Sequence, residues 1–489
     1  MDNRFRVFRK PIQELINLTE IIRKTLDNIY FTMIKRVLLI WILSHSVYGQ
    51  RVIGYYPQWI QGSFGPDEIN YSVITHVLHA FAWPDGEGNI ITYSDMLDPE
   101  INSTVHEYGA SILLSFGGWG NSDGFPGMVS STETRQNFIN GLLDIFNAYG
   151  YDGIDLDWEF PSTTTETNDF TLLVEELRSA FDASGQDYLI TMAVGPSNWT
   201  GQHFDYEALT AKIDWYSMMG YDFHGSWSSH AGHNAPLYSS PPGDPDGSVY
   251  TGINYLVNSR NIPSEKLNLG VPFYGKQFNT GEINGSFSGD VLDIRYSDVL
   301  SLIDAGWEYH WDDVAKCPYL QNNDHDVLVT FDDPQSIQEK SQYAIERELG
   351  GMMIWALGYD VSGNSQDLVE SIGQHFLHNY TVPYSLLPDN VVLYDNFPNP
   401  FNPMTVIRYA LPEDAPVNIT IYDVMGRRVK TIINNTQTAG YNRSIHWNAT
   451  NDAGSPVSAG LYLYTIEAGD PSASSGHSFR QTKKMVLLK

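Results

Sequence analysis

The 489-residue sequence has a single cysteine and few basic residues. With only Cys317 present, the chain cannot form an intrachain disulfide. Its 28 Lys and Arg residues are outnumbered by 58 Asp and Glu residues, which gives a formal net charge of -30. Such a surface repels the phosphate backbone of nucleic acids, so we expect no nucleic-acid partner. A neutral polymer is not excluded, and the acidity also fits a role in solubility.

Short motifs for metals and nucleotides are also missing. The sequence contains no HExxH, CxxC or P-loop pattern, so it indicates neither a cofactor nor a metal ion. Its length suits one large domain plus a smaller one, and its hydrophobic fraction of 42% is typical of a folded chain. We expect a monomer.

One apolar run near the N-terminus has the features of a secretory signal. The basic segment MIKR at 33–36 precedes VLLIWIL at 37–43, and Val47 and Gly49 follow at the spacing of a signal-peptidase site. The run is too short to span a bilayer. We predict that residues 1–49 are an N-terminal extension and signal peptide, with Met33 as a possible start. The alternative is a membrane anchor.

Short apolar runs recur between residues 51 and 375, with helical patterns such as 134–150 and 168–184 between several of them. The eight runs are 51–56, 73–82, 111–116, 153–160, 188–194, 213–219, 267–273 and 351–357. This alternation predicts an α/β fold, a (β/α)8 TIM barrel over residues 50–378, with a doubly wound open sheet as the alternative.

The gap between the last two runs is too long for a simple loop. It contains strand-like pieces at 291–300, 307–311 and 327–331. We therefore predict a small α+β insertion at about 276–329. After residue 378 the composition changes: 379–390 reads as a linker, and 391–489 alternates apolar and polar residues between Gly, Asn and Pro, which predicts a β-sandwich.

The fourth run, DGIDLDWEFP at 152–161, alternates carboxylates with apolar residues. Alternate side chains of a strand point to opposite faces, so Asp155, Asp157 and Glu159 share one face. In a barrel this face points inward, and Glu159 lies at the C-terminal mouth. Crowded carboxylates raise at least one pKa, as a general acid requires. A solvated surface strand and a Mg²⁺ or Ca²⁺ site are the alternatives.

The same stretch resembles the D-G-x-D-x-D-W-E signature of glycoside hydrolase family 18, the chitinase family. Further similarities extend over residues 51–375: SFGGW (115–119), MGYD (219–222), GVPFYG (270–275), GGMMIW (350–355), and the insertion segments 311–319 and 331–340. The resemblance implies retaining, substrate-assisted hydrolysis of β-1,4 bonds between N-acetylglucosamine units.

The resemblance also implies residue roles. Glu159 would protonate the leaving oxygen and then activate water, Asp157 would orient the acetamido group of the sugar, and Asp155 would tune Asp157. Six residues are expected to bind the sugar chain: Tyr221, Asp222, Met219, Trp355, Trp119 and Tyr56. For His224 we favour a structural or substrate-rim role over a catalytic one.

Segments 396–412, 421–429, 446–466 and 483–489 resemble the type A sorting domain of the bacterial type IX secretion system. This implies secretion machinery as a partner and a secreted or cell-surface location. The alternative is a carbohydrate-binding β-sandwich.

Together, these features predict a secreted endo- or exo-chitinase that acts on chitin or chitooligosaccharides. One alternative is an endo-β-N-acetylglucosaminidase that acts on N-glycans. The other is a non-catalytic chitin-binding lectin, although such relatives typically lack the acid at the position of Glu159.

Overall fold

The apolar runs form a closed barrel of eight parallel strands. The first strand pairs with both the second and the eighth, which closes the sheet. Most residues of these strands are buried on both faces, which explains why the runs are nearly continuously apolar. The barrel strands are Arg51–Pro57, His76–Pro84, Ser111–Gly117, Gly153–Asp157, Leu189–Val194, Trp215–Met218, Leu267–Pro272 and Gly351–Trp355. The predicted TIM barrel is confirmed, and the open sheet is wrong.

The computed structural model describes residues 50–363, 365–377, 390–394, 396, 399–412, 415–437, 440–469 and 479–488. The predicted signal peptide and extension at 1–49, and the predicted linker up to residue 389, lie outside these ranges. Among the described residues, no helix combines the length and apolar character that crossing a membrane requires.

Helices surround the barrel and begin and end where the sequence provides caps. Thr132–Tyr149 and Thr164–Ser184 start with a hydroxyl that accepts an N–H bond and end at glycines with φ of 79° and 71°. Both long helices are therefore confirmed. The other helices are Pro99–Glu107, Phe125–Val129, Asn198–Gly201, Tyr206–Leu209, Val249–Asn254, Pro334–Glu346 and Asp367–Phe376, with short 3₁₀ or π turns at Gln58–Ile60, Pro66–Glu68, Tyr255–Ser259 and Ser264–Lys266.

The predicted insertion is confirmed as a five-stranded antiparallel sheet with one helix, between barrel strands seven and eight. Its elements are Tyr274–Asn279, Ser288–Arg295, the helix Tyr296–Asp304, Glu308–Asp312, Cys317–Gln321 and Leu328–Thr330. One detail of the prediction is wrong, because 296–300 begins the helix rather than continuing a strand. Tyr296 and Val299, three residues apart, are the buried residues of that helix.

The C-terminal part forms two antiparallel sheets, as predicted for a β-sandwich. One sheet contains Val392–Leu393, Thr405–Leu411 and Gly440–Trp447, and the other contains Arg428–Gln437, Ala415–Asp423, Gly460–Ala468 and Phe479–Leu487. Ile407 and Trp447 of the first sheet share one apolar core with Ile419 and Tyr464 of the second. Short strands elsewhere are Ile90–Ile91, Val361–Ser362 and Ser365–Gln366.

Candidate active site

Asp155 lies deepest in the barrel and is fully buried. Its carboxylate accepts three hydrogen bonds, from Tyr55 Oη at 2.9 Å, Ser115 Oγ at 2.8 Å and Thr191 Oγ1 at 2.6 Å. These donors come from the first, third and fifth barrel strands. Burial raises the pKa of Asp155, and the three donors oppose that shift. The carboxylate is therefore fixed in position at the base of the site.

Asp157, two residues further along the strand, is buried but faces the cleft. Its Oδ1 atom has no hydrogen-bond partner among the described residues. Burial first, and then the charges of Glu159 and Asp155, raise the pKa of Asp157 well above the usual range of a carboxyl. A buried oxygen without a partner is costly, so this atom is available to a polar group of a ligand.

Glu159 follows the end of strand four and lies at the mouth of the barrel. Its backbone N–H donates to Ser122 Oγ at 3.0 Å, which fixes the turn that carries it. Burial, followed by the charge of Asp222, raises the pKa of Glu159 to about 7. A carboxyl with this pKa can hold a proton near neutral pH and can also release it, as a general acid and base must.

The wall opposite Glu159 is built from the end of strand six and the insertion. Asp222 has a left-handed φ of 58°. Its carboxylate accepts a hydrogen bond from Tyr274 Oη at 2.7 Å and forms an ion pair with Lys276 Nζ at 2.8 Å. Tyr221 lies beside it with its ring 6.1 Å from that of Tyr274. Burial raises the pKa of Tyr221 well above its usual value, so its phenol stays protonated and can donate.

Aromatic rings form the base and the rim of the cleft. Trp355 packs against Phe81, Tyr55 and Trp59 at ring distances of 5.6, 5.2 and 6.2 Å. Trp119 is 78% exposed at the rim. The cleft has a volume of about 650 Å³, and flat rings along it suit the flat C–H faces of sugar units.

Most predicted site residues meet in this one cleft. Its lining includes Asp157, Glu159, Met219, Tyr221, Asp222, Trp355 and Trp119. Asp155 lies beneath them, bonded within the barrel. His224 is buried and away from the lining.

Tyr56 requires a correction, because it does not line the cleft. Its side chain is fully buried among the apolar residues outside the sheet, and its hydroxyl donates to the carbonyl of Phe64 at 2.7 Å. Since side chains alternate along the strand, the neighbouring Tyr55 points into the barrel instead and bonds Asp155.

Several lining residues were not predicted from the sequence. They are Trp59, Phe81, Tyr93, Tyr274, Asp293, Arg295 and Tyr359. Strand alternation would have found Tyr55 and its role beneath them. Asp293 and Arg295 belong to the insertion, and only the fold brings them to the cleft.

The barrel is closed, and its C-terminal mouth holds a carboxyl whose pKa is near neutral together with aromatic rings. This combination is typical of the active site of a barrel glycoside hydrolase. Residues 51–360 match the family model of the glycosyl hydrolases family 18. That is more than half of the chain, and the chain belongs to this family. Residues 403–472 match a second family model, the FlgD Ig-like domain.

The curated relatives are chitinases. The chain is 30% identical over 350 residues to chitinase 1 of Aphanocladium album, which covers 63% of this chain and 82% of that protein. It is 31% identical to the probable chitinase 10 of Drosophila melanogaster, over 63% of this chain and 15% of that protein. With chitinase A1 of Niallia circulans it shares 27% identity, over 66% and 58% of the two chains. The chain thus spans less than two thirds of the latter two proteins.

Solved structures show the same barrel. The Group IV chitinase of Ostrinia furnacalis superposes with a TM-score of 0.61 at 27% identity, covering 67% of this chain and 99% of that one. Catalytic domain 2 of the Group II chitinase from the same organism gives a TM-score of 0.63 at 28% identity, covering 68% and 98%. The Group IV enzyme has also been solved in complex with allosamidin.

Proposed function

We propose that this protein is a chitinase that hydrolyses β-1,4 bonds between N-acetylglucosamine units of chitin or chitooligosaccharides. The observation that carries the proposal is the pair formed by Glu159, whose pKa is about 7, and Asp157, whose Oδ1 has no described partner. Both carboxyls face one cleft with Trp355 at its base. The names of the relatives, all chitinases, support the same substrate class.

The mechanism follows from the order of the three carboxyls. Glu159 donates its proton to the leaving glycosidic oxygen, while the acetamido oxygen of the sugar attacks its own anomeric carbon. Asp157 accepts the acetamido N–H on Oδ1, which holds the group in line and offsets the positive charge that develops. Glu159, now a carboxylate, takes a proton from the incoming water while the water oxygen bonds to the anomeric carbon and displaces the acetamido oxygen. The two successive displacements retain the sugar configuration.

The surrounding residues hold the sugar in place. Tyr221 donates from its protonated phenol, and Asp222, fixed by Tyr274 and Lys276, offers its second carboxylate oxygen to the sugar. Trp355 supplies the apolar base beneath the acetamido sugar, Met219 lines the same pocket, and Trp119 extends the binding surface at the rim. Asp155 acts through Asp157 and is a positioning residue.

The direct test is hydrolysis of colloidal chitin and of chitooligosaccharides by the wild type and by Glu159→Gln. The variant keeps the shape of the acid but cannot donate a proton, so we expect kcat to fall by about 10²–10⁴-fold. Glu107→Gln, at an exposed helix end, is the matched control and should retain full activity. An inactive wild type, or a fully active Glu159→Gln, contradicts the proposal.

A high-mannose glycopeptide belongs in the same assay as a competing substrate. Cleavage of the glycopeptide with no cleavage of chitin would replace the chitinase by an endo-β-N-acetylglucosaminidase. Binding of chitin without hydrolysis by the wild type would instead indicate a lectin.

We further propose that the insertion deepens the cleft and favours exo-acting or processive cleavage. Asp293, Ile294 and Arg295 of the insertion contribute to the cleft wall. Product analysis on long chitooligosaccharides should give an early excess of short products. Random internal cleavage without an early excess of short products contradicts the proposed exo-acting or processive cleavage.

We also propose that the protein is exported, with residues 1–49 as an N-terminal extension and signal peptide and 391–489 as a type IX sorting domain. The signal-like N-terminus, the sorting-type motifs and the Ig-like match at 403–472 support this. In a bacterium with that secretion system, removing 391–489 should leave the enzyme inside the outer membrane. Export of the truncated chain contradicts the sorting role.

A further inference from the structure

Four metal-binding side chains converge in the long loop that follows strand six. They are His224, His230, Asp244 and Asp246, and one ligand atom of each lies within 4.8 Å of every other. His224 and Asp244 have side chains that are 1% and 0% exposed, while His230 and Asp246 are 17% and 25% exposed. This group lies outside the catalytic cleft lining.

The spacing of three of the four atoms fits one face of a tetrahedral ion. His224 Nε2 lies 3.2 Å from His230 Nε2 and 3.0 Å from Asp244 Oδ2, and these last two atoms are 3.1 Å apart. Asp246 Oδ2 is 3.7 Å from His224 Nε2. A tetrahedral zinc ion with bonds of about 2.0–2.1 Å has ligands roughly 3.3 Å apart. The partly exposed Asp246 carboxylate is the fourth ligand, and its ligand atom lies within 4.8 Å of each of the other three.

The hydrogen bonds around the histidines turn their Nε2 atoms toward the cluster. His224 Nδ1 donates to the carbonyl oxygen of His233 at 2.8 Å, which leaves Nε2 as the ring atom that faces the group. His230 Nδ1 lies 3.3 Å from Ser229 Oγ. A backbone carbonyl or hydroxyl on the far ring nitrogen is the usual partner of a metal-bound histidine.

Hydrogen bonds among the described residues leave one buried oxygen of this group without a partner. A proton on His224 Nε2 can be directed at only one neighbour, yet His230, Asp244 and Asp246 all face that atom. Asp246 Oδ2 is buried and has no hydrogen-bond partner among the described residues. A single cation at the centre contacts all four atoms at once.

We propose that His224, His230, Asp244 and Asp246 form a structural zinc site. Two imidazole nitrogens favour zinc over Mg²⁺ and Ca²⁺, which prefer oxygen ligands in larger number. Four protein ligands leave no open position, which is typical of a structural rather than a catalytic zinc.

The proposed zinc site would hold together the loop after strand six, which supports Asp222 in the cleft. His224 lies two residues after Asp222, whose N–H donates to Asn234 Oδ1 at 3.1 Å, and Phe223 N–H donates to the Asn234 carbonyl at 3.1 Å. Zinc would join the part of the loop held by Asn234 to Asp244 and Asp246 at the far end of the loop. Loss of the metal should therefore lower stability and loosen the support of Asp222.

The test uses the full chain. Elemental analysis by mass spectrometry should find one zinc per chain. After chelator treatment, titration with zinc chloride alone should give one-to-one binding with a submicromolar Kd and a rise in Tm. His230→Gln and Asp246→Asn should each weaken zinc binding by about tenfold or more. The control, His106→Gln, removes an exposed His–Asp pair at 2.8 Å and should leave the affinity unchanged.

Cobalt(II) provides a readout that is independent of activity and stability. Bound to the stripped protein, it should give the visible absorption of a four-coordinate ion, and His230→Gln should lose it. No stoichiometric zinc binding, or unchanged affinity in both variants, overturns the proposal. If His230→Gln does not fold, the partly exposed Asp246→Asn decides the question alone.

Discussion

Two groups of buried carboxylates in the barrel region differ in one respect, the presence of a cation. Asp332 is 2% exposed, and the Lys340 ammonium lies 2.5 Å from both of its oxygens. Asp155 and Asp157 are equally buried, but no lysine or arginine forms an ion pair with them among the described residues. Three hydroxyls reach Asp155 instead.

The difference separates a structural group from a reactive one. A buried carboxylate held by an ammonium is an ion pair inside the packed core. Among the described residues, Asp155, Asp157 and Glu159 lack such a partner, and burial raises the pKa of all three. The charges of Glu159 and Asp155 raise the pKa of Asp157 further. The charge of Asp222 likewise raises the pKa of Glu159. The site thereby stores the proton that the proposed reaction requires.

The largest expected effect is on stability at the paired group. Lys340→Met leaves Asp332 buried without its cation, so we expect a loss of about 3–5 kcal/mol in the free energy of unfolding. Urea denaturation followed by circular dichroism measures this. The double variant Lys340→Met with Asp332→Leu removes both charges and should recover most of the loss. A double variant as unstable as the single one would mean that the ion pair is not the cause.

Removing a charge from the group without a cation should not lower the free energy of unfolding. Asp157→Asn removes a buried carboxyl that has no cation, so the free energy of unfolding should stay the same or rise. Activity on chitooligosaccharides should nevertheless fall by about 10²–10³-fold in kcat, because the amide cannot offset the developing positive charge. If Asp157→Asn lowers both the free energy of unfolding and the activity, the proposed difference between Asp157 and the Asp332–Lys340 pair is wrong.

The pH profile tests whether the stored proton is on Glu159. Its pKa is raised to about 7, and the acid is active only when protonated. We therefore expect kcat/KM to decline by about tenfold per pH unit as the pH rises above that value. Initial rates on a soluble chitooligosaccharide between pH 5 and 9 would measure this. A profile that stays flat to pH 9 would exclude Glu159 as the acid.

A smaller shift should come from Asp222. Its charge contributes to the raised pKa of Glu159, and Asp222→Asn removes that charge while keeping an oxygen for Tyr274 and Lys276. The alkaline limb of the kcat/KM profile should then move to lower pH by a fraction of a unit. A shift to higher pH would contradict the electrostatic role.

Strand patterns made the barrel and the carboxylate column predictable. A period of two placed Asp155, Asp157 and Glu159 on one face, and the helical patterns at 134–150 and 168–184 indicated the two long helices. The same periodicity, applied to strand one, would have chosen Tyr55 rather than Tyr56. Tyr56 was assigned incorrectly because the prediction did not consider to which face of the strand its side chain points.

Contacts made by loops were not predictable in this way. His224 and Asp246 are separated by a stretch without period, and no short motif describes their spacing. The expectation of no metal depended on known motifs alone. The cleft contribution of Arg295 likewise depends on where the insertion folds, which local sequence does not encode.

The three hydrogen bonds to Asp155 have a consequence for how this barrel can change during evolution. Tyr55, Ser115 and Thr191 connect strands one, three and five to strand four from inside the barrel. The position of the acid is thus set from below, by the sheet itself. Loops around the mouth are free to lengthen, shorten or exchange aromatic residues, and so to change which ligands the cleft accepts, while the carboxyls stay in place.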